Sequence, residues 1–175
     1  MIIIKRNKEP IKHEEQRVAV LIDVQNMYHS AKNLYGRKVN FSEVLKTATA
    51  GRKLIRAIAY GIRTEGEEEK AFFEALRRVG IEVKMKDLQI FPGGAKKGDW
   101  DVGIAVDAIK FSNYLDTIVL VTGDGDFVPL VEYLKNATPV RVEVVAFEKS
   151  CSNQLKHIAD DFISLGEKPR KYLLK

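Results

Sequence analysis

The sequence predicts an α/β protein, a three-layer α/β/α sandwich around a mostly parallel central sheet. Three observations carry this reading. Thr117-Ile118-Val119-Leu120-Val121 is a run of branched apolar residues, the pattern of a strand buried on both faces. Val18-Ala19-Val20-Leu21-Ile22 is a second such run, and both runs end abruptly in polar residues that include aspartates. Between and after them, strand-like and helix-like segments alternate, which implies right-handed crossovers and parallel strands.

Taken in order, residues 1–16 are charged, contain Pro10 and show no sustained period, so they read as an N-terminal arm or edge extension. The domain proper spans 17–165. After the Val18–Ile22 strand, Met27–Tyr35 reads as a helix stopped by Gly36, and Phe41–Ala50 as a second helix with Ser42 as its N-cap and Gly51 as its stop. Lys53–Ile62 is strand-like. Gly66–Val79 begins with acids and ends with Arg77-Arg78, an order that suits the helix dipole. Ile81–Lys86 alternates as a half-exposed strand, and Asp87–Phe91 continues or pairs with it. Residues 92–98, Pro-Gly-Gly-Ala-Lys-Lys-Gly, form a flexible basic loop. Asp99–Tyr114 is a mostly apolar helix, followed by the Thr117–Val121 strand and by a helix over Phe127–Asn136 that tolerates Pro129 in its first turn. Val140–Phe147 is a strand, Ser152–Asp161 a short helix and Phe162–Leu165 a last short strand. Residues 166–175 read as a basic tail.

Composition narrows the functional classes. No apolar run approaches the ~20 residues of a membrane span. In Met1-Ile2-Ile3-Ile4-Lys5-Arg6 the charges follow the apolar residues, the reverse of a secretory signal, so a cytoplasmic location and no membrane association are expected. Cys151 is the only cysteine, which rules out an intrachain disulfide and a cysteine-based zinc cluster. Residues 1–87 carry 18 basic and 12 acidic side chains, whereas 88–175 carry 11 and 12. A polyanion held beside a cation-binding carboxylate cluster would suit that asymmetry, and solvated lysine-rich helix faces would equally produce it. There is no Walker lysine loop and no Gly-x-Gly-x-x-Gly opening a first helix. Gln25 stands where a phosphoaspartyl transferase would want a second acid two residues after Asp23, and the serines of an adhesion-type metal site are missing.

The acids fall at the places where α/β sheets bind ligands, beyond the carboxyl ends of strands. Asp23 ends the first strand, with Asn26 at the start of the following helix; Asp124 and Asp126 end the Thr117–Val121 strand; Asp99 and Asp101 lie where the glycine loop enters a helix. If the two apolar strands are neighbours, these groups converge on one edge as an all-oxygen donor set suited to Mg²⁺ or Mn²⁺. Each has a structural alternative: Asn26, Asp126 and one of Asp99 and Asp101 also fit as helix caps. Asp107 lies about 240° around the helix from Asp101, and Lys110 at i+3 is its plain partner. His29 and His157 lack metal-spaced companions, and Trp100 fits either packing of the loop or stacking on a base.

Leu21-Ile22-Asp23-Val24-Gln25-Asn26, Lys97-Gly98-Asp99-Trp100-Asp101 with Ala105-Val106-Asp107, and Val121-Thr122-Gly123-Asp124-Gly125-Asp126-Phe127-Val128-Pro129-Leu130 together resemble the NYN group of the PIN-like nuclease superfamily, and within it the LabA-like proteins. The resemblance implies a PIN-like fold, a Mg²⁺- or Mn²⁺-binding acidic site and RNA cleavage. By motif it implies Asp23, Asp101, Asp124 and Asp126 as metal ligands and Asn26 as a catalytic companion. Thr122 matches a small hydroxyl position, and Asp99 and Asp107 stand as supporting acids. This chain has one more residue than the usual Lys-Gly-hydrophobic-Asp loop, which leaves two candidate acids; the spacing to Asp107 favours Asp101. Lys96, Lys97 and Trp100 are the candidate RNA contacts. The expected activity is a metal-dependent ribonuclease. Its rivals are a non-cleaving RNA-binding module that keeps the same site and a phosphatase acting on small phosphoesters. Oligomeric state is not legible in the sequence.

Overall fold

The computed structural model describes residues 12–64, 66–94 and 96–175. Most of the segment expected as an N-terminal arm, residues 1–11, lies outside them. Six strands form one wholly parallel sheet: β1 (Arg17–Asp23), β2 (Lys53–Arg63), β3 (Glu82–Asp87), β6 (Thr117–Val121), β7 (Arg141–Ala146) and β8 (Asp161–Ser164). Their order is β3-β2-β1-β6-β7-β8. From β1 the chain winds outward in one direction, and from β6 it winds in the other. The strand order therefore reverses between the two apolar strands, the place where open α/β sheets open a crevice. Every residue of β6 is buried, which is why its sequence carries no polar alternation.

Two helical layers close the sheet. On one face lie α1 (Val24–Tyr35), α2 (Phe41–Thr49) and α3 (Glu67–Arg78), whose Met27, Val44, Phe73 and Leu76 share one buried cluster with Val18, Val20 and Ile22 of β1. On the other lie α4 (Asp101–Ser112), α5 (Val128–Ala137) and α6 (Asn153–Ile158), whose Ile104, Phe111, Leu130, Leu134 and Leu155 cover Ala19, Leu21, Ile118 and Leu120. Alternate residues of one strand thus feed two separate cores, which a period of two requires.

Several elements differ from expectation, each for a local reason. Helix α1 begins at Val24, not Met27, because the Asp23 carboxylate accepts the Asn26 amide at 3.1 Å and caps the helix directly at the end of β1. Asn40, not Ser42, caps α2, accepting the Glu43 amide at 3.3 Å. Part of the expected basic loop is ordered as a hairpin: β4 (Gln89–Ile90) pairs antiparallel with β5 (Lys96–Lys97) in a separate ribbon and does not extend β3. Residues 166–175, expected as a tail, dock on α2. They include a short helix, α7 (Pro169–Tyr172). Tyr172 shares a 3.0 Å hydrogen bond with Thr47, its carbonyl accepts the Asn40 amide at 2.8 Å, and Leu173 bridges Val39.

Candidate metal centre at the strand-order reversal

The site grows out of the register of β1 and β6. Ile22 sits beside Val121, so the next residues on each strand, Asp23 and Thr122, emerge together at the carboxyl edge. The Thr122 hydroxyl donates to Asp23 Oδ2 at 3.1 Å and accepts the Asp124 amide at 3.2 Å. Asn26 Oδ1 accepts the Gly123 amide at 2.8 Å, tying α1 to the turn after β6. Asp124 in turn accepts the Asp126 amide at 3.0 Å, which closes the 3₁₀ turn Gly125–Phe127 leading into α5. A Cβ on Gly123 would stand 3.0 Å from the Cys151 Cα and the Ser150 carbonyl oxygen, so a side chain there would press on the backbone of the loop after β7.

Asp101 reaches the same place from the first turn of α4. Carboxylate oxygens of Asp23, Asp101 and Asp124 all lie within 4.8 Å of one another. Burial raises the pKa of Asp101 to about 6, with the charges of Asp124, Asp99, Asp23 and Asp126 adding to it. Burial also raises Asp23, against the Asn26 amide and the Thr122 hydroxyl, which favour its ionised form. Among the described residues no lysine or arginine forms an ion pair with Asp23, Asp101 or Asp124. Three converging carboxylates that stay uncompensated fit an all-oxygen site for a hard divalent cation. Asp126 is exposed and acts on the cluster through its charge, as does Asp99.

Asp107 belongs to a different arrangement. It is buried, and its Oδ2 accepts both the Tyr60 hydroxyl at 2.7 Å and the Lys84 ammonium at 2.6 Å. Burial would raise its pKa, but these two donors outweigh burial and hold it low. Lys84 on β3, rather than Lys110, is its partner. Trp100 packs: its Nε1 donates to the Gly61 carbonyl at 2.8 Å, its ring leans on Tyr60, and Lys86 Nζ sits 4.8 Å from its centre. It seats the start of α4 and therefore Asp101. Lys96 and Lys97 form β5, opposite Ile90 and Gln89. Sequence reasoning missed Tyr60, Lys84 and Lys86. Tyr60 stands beside Asp23 in the β1–β2 register, and Lys84 and Lys86 share one face of β3 by alternation, so the signal lay in strand pairing.

The raised carboxyl of Asp101 gives a pH prediction. Its folded pKa exceeds the unfolded value, so the folded protein takes up a proton first as pH falls, and the repulsion is present above about pH 6. Metal-free Asp101→Asn is expected to be more stable than wild type at pH 7.5 by about 1 kcal/mol, allowing for solvent screening of a partly exposed group. The difference should shrink by pH 5. Melting curves in EDTA at both pH values measure this, and equal gains at the two would refute it.

A doubly wound α/β protein whose strand-order reversal gathers three carboxylates is the class that fold and site define. Within that class the chain belongs to the NYN domain family, whose model matches residues 17–166. It is similar to the Low amplitude and bright protein LabA of Synechococcus elongatus, 28% identical over 160 residues, covering 86% of this chain and 84% of that protein. An uncharacterized protein of Methanocaldococcus jannaschii is 32% identical over 158 residues, covering 87% of this chain but 57% of its own length. A crystal structure of a protein of unknown function from Vibrio parahaemolyticus superposes with a TM-score of 0.85 at 33% identity, covering 94% of this chain and all of that one.

Proposed function

We propose that this protein is a metal-dependent ribonuclease of the cytoplasm that hydrolyses RNA phosphodiester bonds. One observation carries the reading: carboxylate oxygens of Asp23, Asp101 and Asp124 converge within 4.8 Å at the strand-order reversal, and no lysine or arginine among the described residues forms an ion pair with them. Membership of the NYN domain family supports the nuclease class. No helix among the described residues is long and apolar enough to cross a membrane.

Asp23, Asp101 and Asp124 would hold Mg²⁺ or Mn²⁺, with Asp126 at the exposed rim. A divalent ion bound there supplies a water of lowered pKa and offsets charge on the phosphoryl oxygens. The protein's own part is placement. Thr122 fixes one oxygen of Asp23, Asn26 holds the Gly123 turn, and Trp100 seats the helix start that carries Asp101. These are positioning contacts, and their rigidity limits the reorganisation needed when the phosphate arrives. Lys96 and Lys97, on the hairpin strand just before Asp99, would contact the RNA backbone, giving affinity without sequence choice.

The test is a metal-by-substrate screen: end-labelled single-stranded and structured RNA, DNA and p-nitrophenyl phosphate, each with Mg²⁺, Mn²⁺ or EDTA. RNA cleavage with Mn²⁺ or Mg²⁺ and none in EDTA is expected. RNA bound but uncut under every metal would assign the site to a binding module, and hydrolysis confined to p-nitrophenyl phosphate would assign it to a phosphatase. Either result overturns the proposal.

A further inference from the structure

Helix α4 carries two apolar stripes of the same spacing. Ile104, Ala108 and Phe111 lie at i, i+4 and i+7 and are buried in the core cluster that also holds Leu21 and Leu120. Val102, Val106 and Ile109 repeat that spacing two residues earlier and are exposed. Two residues amount to about 200° of helix surface, so the second stripe lies on the far side. A helix on a globular core ordinarily takes its rotation about its own axis from one apolar and one polar face. In α4 that contrast is weak, and burial of apolar area alone does little to select the inner stripe. The charged residues of the helix are Asp101, Asp107 and Lys110. Lys110 stands in the last turn, where its long stem reaches water from either rotation.

We propose that Asp107, held by Tyr60 and Lys84, is the rotational key of α4: it fixes which stripe faces the sheet and thereby turns Asp101 toward Asp23 and Asp124. Its bearing on function rests on the reading of Asp101 as a metal ligand. Asp101 and Asp107 are about 120° apart by the shorter way around the helix, and Ile104 lies midway between them. They therefore flank the buried stripe, one on each side. Asp107 Oδ2 accepts the Tyr60 hydroxyl at 2.7 Å and the Lys84 ammonium at 2.6 Å. In the sheet register Tyr60 stands between Asp23 and Lys84, so the three form one rung across β1, β2 and β3. Holding Asp107 at the β2–β3 end of that rung leaves Asp101 over the end that carries Asp23.

Trp100, bonded to the Gly61 carbonyl, ties down the same flank, and a Cβ on Gly103 would stand 2.5 Å from its ring. Rolling α4 by about 200° would bring the outer stripe inward at little apolar cost. It would also strip Asp107 of both donors, leave the Tyr60 hydroxyl buried without a partner, and carry Asp101 out of the cluster. Fixing a register is the best-attested use of a buried polar group, as with the polar core residue that sets the alignment of a coiled coil. Asp107 is thus a positioning residue, acting on the site through the helix it shares with Asp101.

The test compares melting temperature, Mn²⁺ affinity by calorimetry, and methyl Overhauser contacts of the metal-free full chain. Tyr60→Phe with Asp107→Leu removes the key without stranding a buried polar group, because partly exposed Lys84 turns to water. Its melting temperature should stay close to that of wild type, while Mn²⁺ binds about tenfold more weakly, the ordinary loss when a group that orients a ligand is removed. Contacts of Ile104 with its core cluster should weaken, and contacts from Val106 to that cluster should appear. Asp107→Asn keeps an oxygen for Tyr60 and Lys84 and loses only the charge, so affinity and contacts should stay those of wild type. Val102→Gln with Val106→Gln makes the outer face polar and, added to the double variant, should restore both. A purely stabilising or electrostatic role of Asp107 would not be rescued from the far side of the helix. Unchanged methyl contacts or unchanged Mn²⁺ affinity in the double variant overturns the inference. If the double variant does not fold, the variant with all four substitutions decides: wild-type contacts support the key, and failure to fold overturns it. Should wild type bind no Mn²⁺, the metal reading of the site falls, and the methyl contacts alone decide the key.

Discussion

Asp124→Asn is expected to lower RNA cleavage by on the order of 10³-fold while leaving the metal-free protein at least as stable as wild type. The two halves of this expectation have one cause. Asp124 is one of three carboxylates whose oxygens lie within 4.8 Å of one another, so its charge both binds a cation and repels Asp23 and Asp101. Asparagine keeps the oxygen that accepts the Asp126 amide, and with it the 3₁₀ turn into α5. The substitution therefore removes charge without removing the local fold. A ligand set reduced by one charge holds the ion more weakly and stabilises the phosphoryl charge less, which together amount to several kcal/mol. Single-turnover cleavage with saturating RNA, compared with melting curves in EDTA, separates the two effects. Wild-type cleavage by Asp124→Asn would show that any nuclease activity arises elsewhere on the protein. A large fall in melting temperature would mean that Asp124 holds the turn rather than an ion.

The central sheet was legible because burial on both faces leaves an unmistakable mark. Thr117–Val121 and Val18–Ile22 are apolar without alternation, and the structure pairs them as adjacent parallel strands. The strand ends were legible for the same reason, since an apolar run that stops at Asp23 or at Thr122-Gly123-Asp124 marks its own carboxyl edge. Contacts set by tertiary packing were not legible. Asp107 looks from sequence like one member of an i, i+3 pair with Lys110, yet its partners are Tyr60 and Lys84 on two strands far away in the chain. Ser42 fits as a cap by residue type, but Asn40 does the capping, because serine and asparagine both cap well and only the backbone decides which does. Residues 166–175 looked like a tail because four basic residues and a proline dominate their composition. Their docking rests on Tyr172 and Leu173, two residues too few to show a period.

The second large effect lies away from the carboxylate cluster, in the buried pair of Arg52 and Glu143. Arg52 precedes β2 and reaches Glu143 on β7, with Nη1 and Nη2 donating to its two oxygens at 2.9 and 2.8 Å. Both side chains are almost wholly buried, and the same guanidinium also holds the Ala48 and Thr49 carbonyls at the end of α2. Such a pair gains little over an apolar pair of similar volume, because desolvation offsets its Coulomb attraction, but losing one partner leaves a buried charge. Arg52→Met should cost about 3 kcal/mol, near the lower end for such losses because Lys12 stands 3.8 Å from Glu143 and compensates it in part. In a chain of this length that corresponds to roughly 6–12 °C in melting temperature. Arg52→Met with Glu143→Leu should recover most of the loss, since neither charge is then stranded. If the double variant is no more stable than Arg52→Met alone, the pair contributes net stability rather than mere compensation, and the argument fails. Cleavage by folded Arg52→Met at low temperature should match wild type, because Arg52 precedes β2 and Glu143 lies in the middle of β7, whereas the carboxylates cluster at the carboxyl ends of β1 and β6. Stability without activity in Asp124→Asn and activity without stability in Arg52→Met would together separate the buried pair that holds the fold from the carboxylates proposed to act on RNA.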